Sequence, residues 1–269
     1  MIMTAPFRND DIAPFIAMGT DEGWVCGEWE LKFLLQAFPK GCLVKREGNE
    51  VLGYVTAVRH DKSGWIGNLL VAPRHRRRGI GMELMRGAID ALLCAGVKTV
   101  WLTASAKGVD LYRKLGFVAI DSINRWVGEG GVVCTPFSAA PIDRNVIGKV
   151  DAYGWGDWRE ALLQVTSSRG RVFCAEASFL CTQHWEGGMQ VGPWGALGDE
   201  QAAALFELAL CSTAEPIFLD VPAGNVAAAS LLARKGFSIR GNNALMYLGA
   251  VPDYHPQSVY ALASMGSMG

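Results

Sequence analysis

The sequence lacks several features that would assign it to a class of proteins at once. No stretch of its 269 residues reaches the roughly 18 consecutive apolar residues of a membrane-spanning helix. The first residues carry no long apolar run ahead of their charges, so we expect no secretory leader. The net charge is −1, so the chain as a whole has no charge excess suited to nucleic acid.

The cysteines offer no evident redox or metal centre. Seven are present, an odd number, and no two of them form a Cys-x-x-Cys pair. This pattern argues against a disulfide framework and against a zinc site. We therefore expect reduced thiols, no bound metal and a cytoplasmic protein.

Composition and length are typical of a globular chain with more than one core. Half of the residues are hydrophobic and 19% are charged. Helix-like and strand-like patterns alternate, which predicts an α/β (α+β) fold, and "EGGVVCTPFSAA" interrupts them as a linker would. We therefore expect a first domain at 1–128, a linker at 129–140, a second domain at 141–250 and a peripheral tail at 251–269.

A weak internal repeat indicates that the two domains share one fold. "VWLTASAKGVDLYRKLGF" at 100–117 aligns with "IFLDVPAGNVAAASLLARKGF" at 217–237, with three extra residues before the second helix. Each segment has the pattern of a strand, a short helix and a following Gly-Phe. We infer a duplicated fold whose copies have diverged.

The stretch "RHRRRGIG", residues 74–81, concentrates positive charge on a glycine turn between a strand-like and a helix-like segment. Apolar positions from Leu84 to Leu93 recur on one helical face, so a helix follows the turn directly. The first amides of a helix have no partner and carry partial positive charge. Gly79 and Gly81 let the backbone approach an anion closely. We therefore predict a diphosphate site at this turn.

Two common nucleotide motifs do not fit this turn. A dinucleotide-binding fingerprint fails because Leu84 stands where its third glycine belongs, and a P-loop fails because no Gly-Lys-Ser/Thr follows. A basic localisation or RNA-binding patch and a plain solvated turn remain as alternatives. The turn is wedged between a buried strand and an amphipathic helix rather than placed on a free tail, which favours the anion site.

The same residues resemble a known family. "LLVAPRHRRRGIG" resembles motif A of the GNAT N-acetyltransferase superfamily, whose signature Gln/Arg-x-x-Gly-x-Gly/Ala falls on Arg76 to Gly81. "LYRKLGF" is similar to the second half of motif B, and the spacing between the two also matches. The resemblance covers residues 1–128, and the remainder more loosely resembles the degenerate second domain of a two-domain bacterial subgroup. It implies tandem GNAT-like folds, each a twisted, mixed, mostly antiparallel sheet flanked by helices.

The resemblance implies acetyl-CoA as the acetyl donor. Its pyrophosphate would lie on the turn from Arg76 to Met82, and its pantetheine arm along the edge of the preceding strand. Ser105 stands where the family often has an asparagine that holds the cofactor, and its hydroxyl has a shorter reach. The implied CoA-binding residues are Leu69, Leu70, Val71, Arg76, Arg77, Arg78, Gly79, Ile80, Gly81, Met82 and Ser105.

Tyr112, four residues before Gly116, stands where the resemblance places the general acid. A phenol with an ordinary pKa of about 10 is protonated at neutral pH, so it can protonate a departing thiolate. We interpret Tyr112 as this acid. The alternative is that its ring only packs in the core.

The base that deprotonates the acceptor amine is left open. "WIGNLLV" carries no carboxylate where many relatives have one. Glu28, His60, Asp61 and a bound water are the candidates. Trp24, Trp29 and Glu28 fall in the region that covers the substrate in similar folds, so the resemblance implies that they line the acceptor pocket. Core packing is the simpler explanation of two tryptophans near a helix start.

The second domain reverses these features. It keeps Asn225 at the position aligned with Ser105 but has Leu232 in place of the tyrosine. It lacks the arginine-glycine signature, and Asp199 and Glu200 open the corresponding helix, where they repel phosphate. We therefore expect one CoA site per chain, in the first domain. Three residues of this domain are rim candidates without a mechanism that needs them: His184, Trp185 and Asp220.

Together these features predict an N-acetyltransferase that moves the acetyl group of acetyl-CoA to a primary amine by direct attack. The alternative is a non-catalytic CoA-binding regulatory or scaffold protein. The acceptor is a small molecule or a peptide, and the fold alone chooses neither. We expect no nucleic-acid or membrane partner, and the sequence leaves the oligomeric state open, a homodimer included.

Overall fold

The computed structural model describes residues 2–131, 142–185 and 187–269. The expected linker at 129–140 therefore lies mostly outside the described residues. In the described part, no helix is both long and apolar enough to cross a membrane. No group of three or more His, Cys, Asp or Glu side chains within those ranges is arranged to hold a metal ion.

Helices and strands alternate along the chain, as the sequence patterns predict. The helices are α1 (Ile12–Asp21), α2 (Glu28–Ala37), α3 (Ile80–Cys94), α4 (Val109–Lys114), α5 (Arg144–Trp155), α6 (Glu160–Ser167), α7 (Asp199–Leu210) and α8 (Val226–Arg234). The strands are β1 (Ile2–Pro6), β2 (Leu43–Glu47), β3 (Glu50–Arg59), β4 (Ser63–Val71), β5 (Thr99–Ala104), β6 (Val118–Gly128), β7 (Val172–Ala175), β8 (Ser178–Trp185), β9 (Gly188–Ala196), β10 (Ile217–Pro222), β11 (Ser238–Gly249) and β12 (Val259–Ala261).

Helix α3 shows how the local sequence sets an element that later forms the site. Gly79 is its N-cap in the left-handed conformation, with φ 82°, where a side chain would be strained. The helix buries one apolar face against the sheet and ends before Gly96, which is also left-handed. The buried residues of this face are Ile80, Leu84, Met85, Ala88, Ile89 and Leu92.

The twelve strands of the described residues form one continuous sheet, because the two repeats exchange their last long strand. The strand order is β1-β2-β3-β4-β5-β11-β6-β10-β9-β8-β7, with β12 added beside β9. Strand β11 of the second repeat pairs with β5 of the first, and β6 of the first repeat pairs with β10 of the second. Strand β6 is therefore an interior strand of the sheet, because it has a partner on both sides.

The proposed domain boundaries therefore separate two sequence repeats that share a sheet, rather than two independent sheets. Strand exchange leaves the local pattern of each strand unchanged, since the exchanged strands occupy equivalent positions in the two copies. Sequence alone does not distinguish which copy supplies the partner.

The expectation of a peripheral tail at 251–269 is wrong, because most residues from 258 to 269 are buried. Strand β12 pairs with β9, and Leu262, Ala263 and Met268 are completely buried. Two polar side chains of the second repeat hold the tail backbone. Asp220 accepts the amide N–H of Met265 at 3.2 Å, and Gln183 donates to the carbonyl of Ala263 at 3.1 Å.

We expect Leu262→Ala to destabilise the protein by about 2–5 kcal/mol, because it leaves a cavity at a side chain that is 0% exposed. Val251→Ala, at a tail residue that is 78% exposed, should change the free energy of unfolding by less than about 0.5 kcal/mol. Urea unfolding monitored by tryptophan fluorescence measures both. Equal stability of the two variants would show that the tail end does not contribute to the core.

Candidate active site

The site begins where strands β4 and β5 separate. These parallel strands pair only over Ser63–Trp65 and Thr99–Trp101, so they diverge beyond that point. A register shift in the pairing of β3 with β4 marks a bulge there, and Asn68 adopts a positive φ of 54°. The Asn68 side chain donates to the Thr56 hydroxyl at 3.0 Å, which holds the bulge in place.

The end of β4 presents an open backbone edge toward the cleft. The N–H of Ala72 donates to the carbonyl of Leu52 on the side of β3. Because peptide groups alternate along a strand, Leu69 and Val71 direct theirs to the opposite side, toward the cleft. The carbonyl of Val71 accepts a hydrogen bond from Nε of Arg76 at 3.0 Å. This edge of β4, which the sequence predicts to be open, is thus not paired with β5. Arg76 occupies one of its backbone carbonyls.

The glycine turn places three arginines in different surroundings. The Arg76 guanidinium pairs with Glu22, a contact the sequence did not predict. Arg78 contacts Nδ1 of His75 at 2.8 Å, while Arg77, with φ 61°, has no side-chain partner among the described residues. The two left-handed residues at 77 and 79 turn the backbone into α3, whose first amides have no intrahelical acceptor. This geometry suits an anion.

Tyr112 and Ser105 border the same cleft from the side of β5. The Tyr112 ring packs edge-on against Phe117, with 6.1 Å between centroids. Burial raises the pKa of Tyr112 to about 12, so its hydroxyl is protonated at neutral pH. Ser105 is exposed at the rim and lies before α4. Tyr112 therefore packs against Phe117 and also lines the cavity.

These elements enclose a cavity of about 970 Å³ that runs from the glycine turn into the second repeat. It collects most of the residues predicted from the sequence: Trp24, Leu69, Leu70, Val71, Arg76, Arg77, Gly79, Ile80, Gly81, Met82, Ser105 and Tyr112. Arg78 is not part of the lining.

Two predicted acceptor residues also lie outside the lining. Glu28 is exposed and pairs with Lys32 at 2.7 Å along α2. The Trp29 ring lies 5.7 Å from the ring of Trp185, and the guanidinium of Arg169 stacks over it at 4.1 Å. Trp29 thus packs between the repeats, as the simpler explanation had it.

Neither of the other residue candidates for the base reaches the cavity. His60 is buried, and burial together with the charge of Arg159 lowers its pKa to about 3. Asp61 is exposed beyond the end of β3. Neither residue lines the cavity.

Glu30 is a buried acidic residue that sequence reasoning missed. It is only 3% exposed, lines the cavity and accepts a hydrogen bond from the Ser267 hydroxyl. Burial raises its pKa above that of an ordinary glutamate, and the hydrogen bonds from Ser267 and Ser264 oppose this effect only in part. Its spacing offered a signal, because Glu30 shares the buried face of α2 with Leu34, four residues on.

The C-terminal tail links this glutamate to the cleft. The N–H of Asn68 in β4 donates to the carbonyl of Gly266 at 3.1 Å. The Thr103 hydroxyl of β5 donates to the carbonyl of Met265. Since Ser267 follows directly and binds Glu30, the tail connects both diverging strands with α2. Nothing in the local pattern of "SMGSMG" predicted this position.

In the second repeat, residues at the positions that align with the site make structural hydrogen bonds. Asn225, aligned with Ser105, caps α8 by accepting the N–H of Ala228 at 2.8 Å and donates to two tail carbonyls. Asp199 at the start of α7 accepts the hydroxyl of Tyr260 at 2.6 Å. These side chains serve the structure. The N-cap of α7, Gly198, is extended with φ −145°, whereas Gly79 before α3 is left-handed.

Comparison with known proteins identifies the family of this chain. The family model described as "Acetyltransferase (GNAT) family" matches residues 8–117, and the model described as "Acetyltransferase (GNAT) domain" matches residues 147–261. The chain belongs to the GNAT acetyltransferase family. It is a two-domain GNAT protein, and each matched segment covers one of the two sequence repeats.

Solved structures share this tandem GNAT fold over nearly the whole chain. A proposed acetyltransferase from Pyrococcus horikoshii is 23% identical with a TM-score of 0.86, covering 99% of this chain and 95% of that one. A GCN5-related N-acetyltransferase from Sphaerobacter thermophilus is 15% identical with a TM-score of 0.67, covering 97% and 98%. At these identities the likeness shows the fold alone. No curated protein matches this GNAT chain.

Proposed function

We propose that this GNAT protein is an N-acetyltransferase that moves the acetyl group of acetyl-CoA to a primary amine by direct attack. The observation that supports this most is a single cavity bordered by the glycine turn, the open edge of β4, Tyr112 and Glu30. A donor and an acceptor therefore have room to meet at the divergence of β4 and β5.

The residues at the turn fit the diphosphate of CoA. A Cβ built on Gly79 would have no atom within 4 Å, so the turn is open to a ligand, and the first amides of α3 point to it. Arg77 is available for a phosphate, and Arg76 and Arg78 stand beside it. The edge at Leu69 to Val71 would pair with the pantetheine amides once Arg76 releases the carbonyl of Val71. Ser105 would contribute its hydroxyl at the rim.

Acetyl-CoA, when bound, supplies the acetyl group, whose carbon–sulfur bond breaks as a carbon–nitrogen bond to the acceptor forms. Tyr112 donates its phenolic proton to the leaving sulfur. Glu30 would accept the proton of the acceptor ammonium, directly or through the hydroxyl of Ser267 that it binds. The second proton, which the attacking nitrogen loses as the amide forms, would return to the Tyr112 phenolate directly or through water. Cleft-facing backbone N–H groups at the open edge of β4 would polarise the acetyl carbonyl.

The proposal is tested by following release of the CoA thiol from acetyl-CoA over a panel of primary amines, with mass spectrometry of the amine products. We expect release that depends on the amine, and a product heavier by one acetyl group. Tight acetyl-CoA binding with no amine-dependent release would contradict the proposal and favour a non-catalytic CoA-binding protein.

We expect Glu30→Gln to lower kcat/KM about a hundredfold or more, because an amide cannot accept the proton of the ammonium. In the wild type, activity should fall as the pH drops through the raised pKa of Glu30, above the roughly 4.3 of an ordinary glutamate. In the variant, this acidic limb should move up to the pKa of the free amine. Profiles of kcat/KM against pH measure the change.

Glu160→Gln, on the exposed start of α6, is the matched control and should keep the wild-type profile. If Glu30→Gln also kept it, Glu30 would not be the base.

A further inference from the structure

The second repeat contributes one face of its sheet to the cavity. Asp220 of β10 is the register partner of Arg125 of β6, and Phe218 of β10 is the partner of Gln190 of β9. Register partners and residues two apart on a strand lie on the same face. These four residues therefore form a continuous row across three strands. Arg125, Phe218 and Gln190 also line the cavity.

Arg125 is held rigidly in this row. Its Nε and Nη2 donate to the two carboxylate oxygens of Asp220 at 2.8 and 2.7 Å, and its guanidinium stacks on Phe218 at 5.2 Å. Asp220 is 0% exposed, so this two-point hydrogen-bonded fork holds the guanidinium in one position. A guanidinium has five N–H donors, of which the fork uses two. The remaining donors have no acceptor among the described residues, while part of the side chain remains accessible from the cavity.

Two further donors lie beside the row without partners. Gln190 is 2% exposed, and its Nε2 has no hydrogen-bond partner within the described ranges. Trp185 lies two residues beyond Gln183, the register partner of Gln190, so it shares this face. Its indole Nε1 is also buried and unpaired, and both side chains line the cavity. A ligand group that accepts hydrogen bonds would satisfy them.

We propose that Arg125, Gln190 and Trp185 bind a carboxylate of the acceptor, so that the substrate is a small amine that carries a carboxylate, as an amino acid does. This inference rests on the acetyl transfer proposed above. A carboxylate only accepts hydrogen bonds, and its two oxygens match several converging donors. The ammonium of the same molecule faces Glu30, the buried acidic group of the same cavity.

A phosphate fits this row less well than a carboxylate. The charge of Arg125 is already offset by Asp220, and Glu30 adds negative charge to the cavity. The two negative charges of a phosphate would therefore lack a positive partner in the cavity, whereas an amino acid brings one charge of each sign. The second repeat, which lacks the glycine turn, thereby serves the acceptor instead of the cofactor.

The test compares matched amines that differ only in the carboxylate, such as L-phenylalanine with 2-phenylethylamine and L-leucine with isopentylamine. The full set of amino acids, their decarboxylated analogues and glucosamine are assayed as acceptors. The same compounds are titrated by calorimetry into the CoA-saturated protein. We expect the best ligand to carry a carboxylate and its decarboxylated partner to be weaker by about tenfold to a hundredfold.

Two variants assign the preference to the row. Gln190→Met keeps the length of the side chain but removes its donor. The pair Arg125→Met with Asp220→Asn removes both charges together, so that no unpaired buried carboxylate remains. In each we expect the carboxylate preference to shrink about tenfold or more, with acetyl-CoA affinity unchanged. Structural damage alone would lower the affinity for both members of a matched pair and leave the ratio of the two affinities unchanged.

The outcomes separate the two proposals. If acetyl-CoA binds but no amine is acetylated, the proposed transfer fails, and calorimetric discrimination between matched ligands still decides the carboxylate site. Equal binding of matched pairs, stronger binding of glucosamine, or an unchanged preference in Gln190→Met would each overturn the inference.

Discussion

Gly79→Asp is expected to weaken acetyl-CoA binding by about a hundredfold or more while the protein stays folded. The new carboxylate would lie at the first turn of α3, where we propose that the helix amides and Arg77 bind the phosphates. It would compete with the phosphates for these donors and repel them. The fold tolerates the change because a Cβ at this position meets nothing within 4 Å. The left-handed φ of 82° costs about 1–2 kcal/mol, and the favourable position of an acid at a helix N-terminus offsets part of it.

Gly79→Asn is the matched control, since asparagine tolerates the left-handed conformation, has nearly the same size and carries no charge. It should retain most of the affinity. Calorimetric titration with acetyl-CoA measures both variants, and thermal unfolding checks that both are folded. If Gly79→Asp bound acetyl-CoA as tightly as Gly79→Asn, the phosphates would not lie at this turn.

Tyr112→Phe is expected to reduce kcat by about 10² to 10⁴ without changing the affinity for acetyl-CoA. The ring would keep its edge-on contact with Phe117, so only the proton donor is lost. Because the pKa of Tyr112 is raised to about 12, the wild-type acid should remain active through neutral and mildly alkaline pH. Steady-state kinetics on the best acceptor, together with the dissociation constant of acetyl-CoA, test this directly.

Tyr153→Phe, at an exposed tyrosine stacked on His255 outside the cavity, should leave kcat unchanged. If Tyr112→Phe behaved in the same way, Tyr112 would only fill space beside the cleft, and another group would have to protonate the leaving thiolate.

The part of the site that was predictable from the sequence is local. The glycine turn, the start of α3 and the position of Tyr112 on α4 depend on residues within a few positions of one another. Conformational preferences of glycine and the apolar period of a helix act over this range. For that reason most of the predicted cofactor residues border one cavity. The sequence predicts the acceptor residues less well, because Glu28 and Trp29 lie in the expected region of the chain but on parts of α2 that do not border the cavity.

What the structure adds depends on contacts between distant segments. Glu30 and Ser267 meet across 237 positions of the chain, and Arg125 and Asp220 across 95. No periodicity relates such pairs. The two residues of each pair become neighbours only once the strands are exchanged or the tail is inserted. Packing of the whole sheet sets these arrangements.

The amino-acid sequence by itself determined the family, the α/β class, the duplication and the glycine turn that opens α3, since all of these follow from short-range pattern and composition. Only the tertiary structure decided that the two repeats share one sheet, that the tail joins the diverging strands to α2 and that a buried glutamate and a fixed arginine line the same cavity. The physical reason is that burial and long-range pairing select among arrangements whose local patterns are the same.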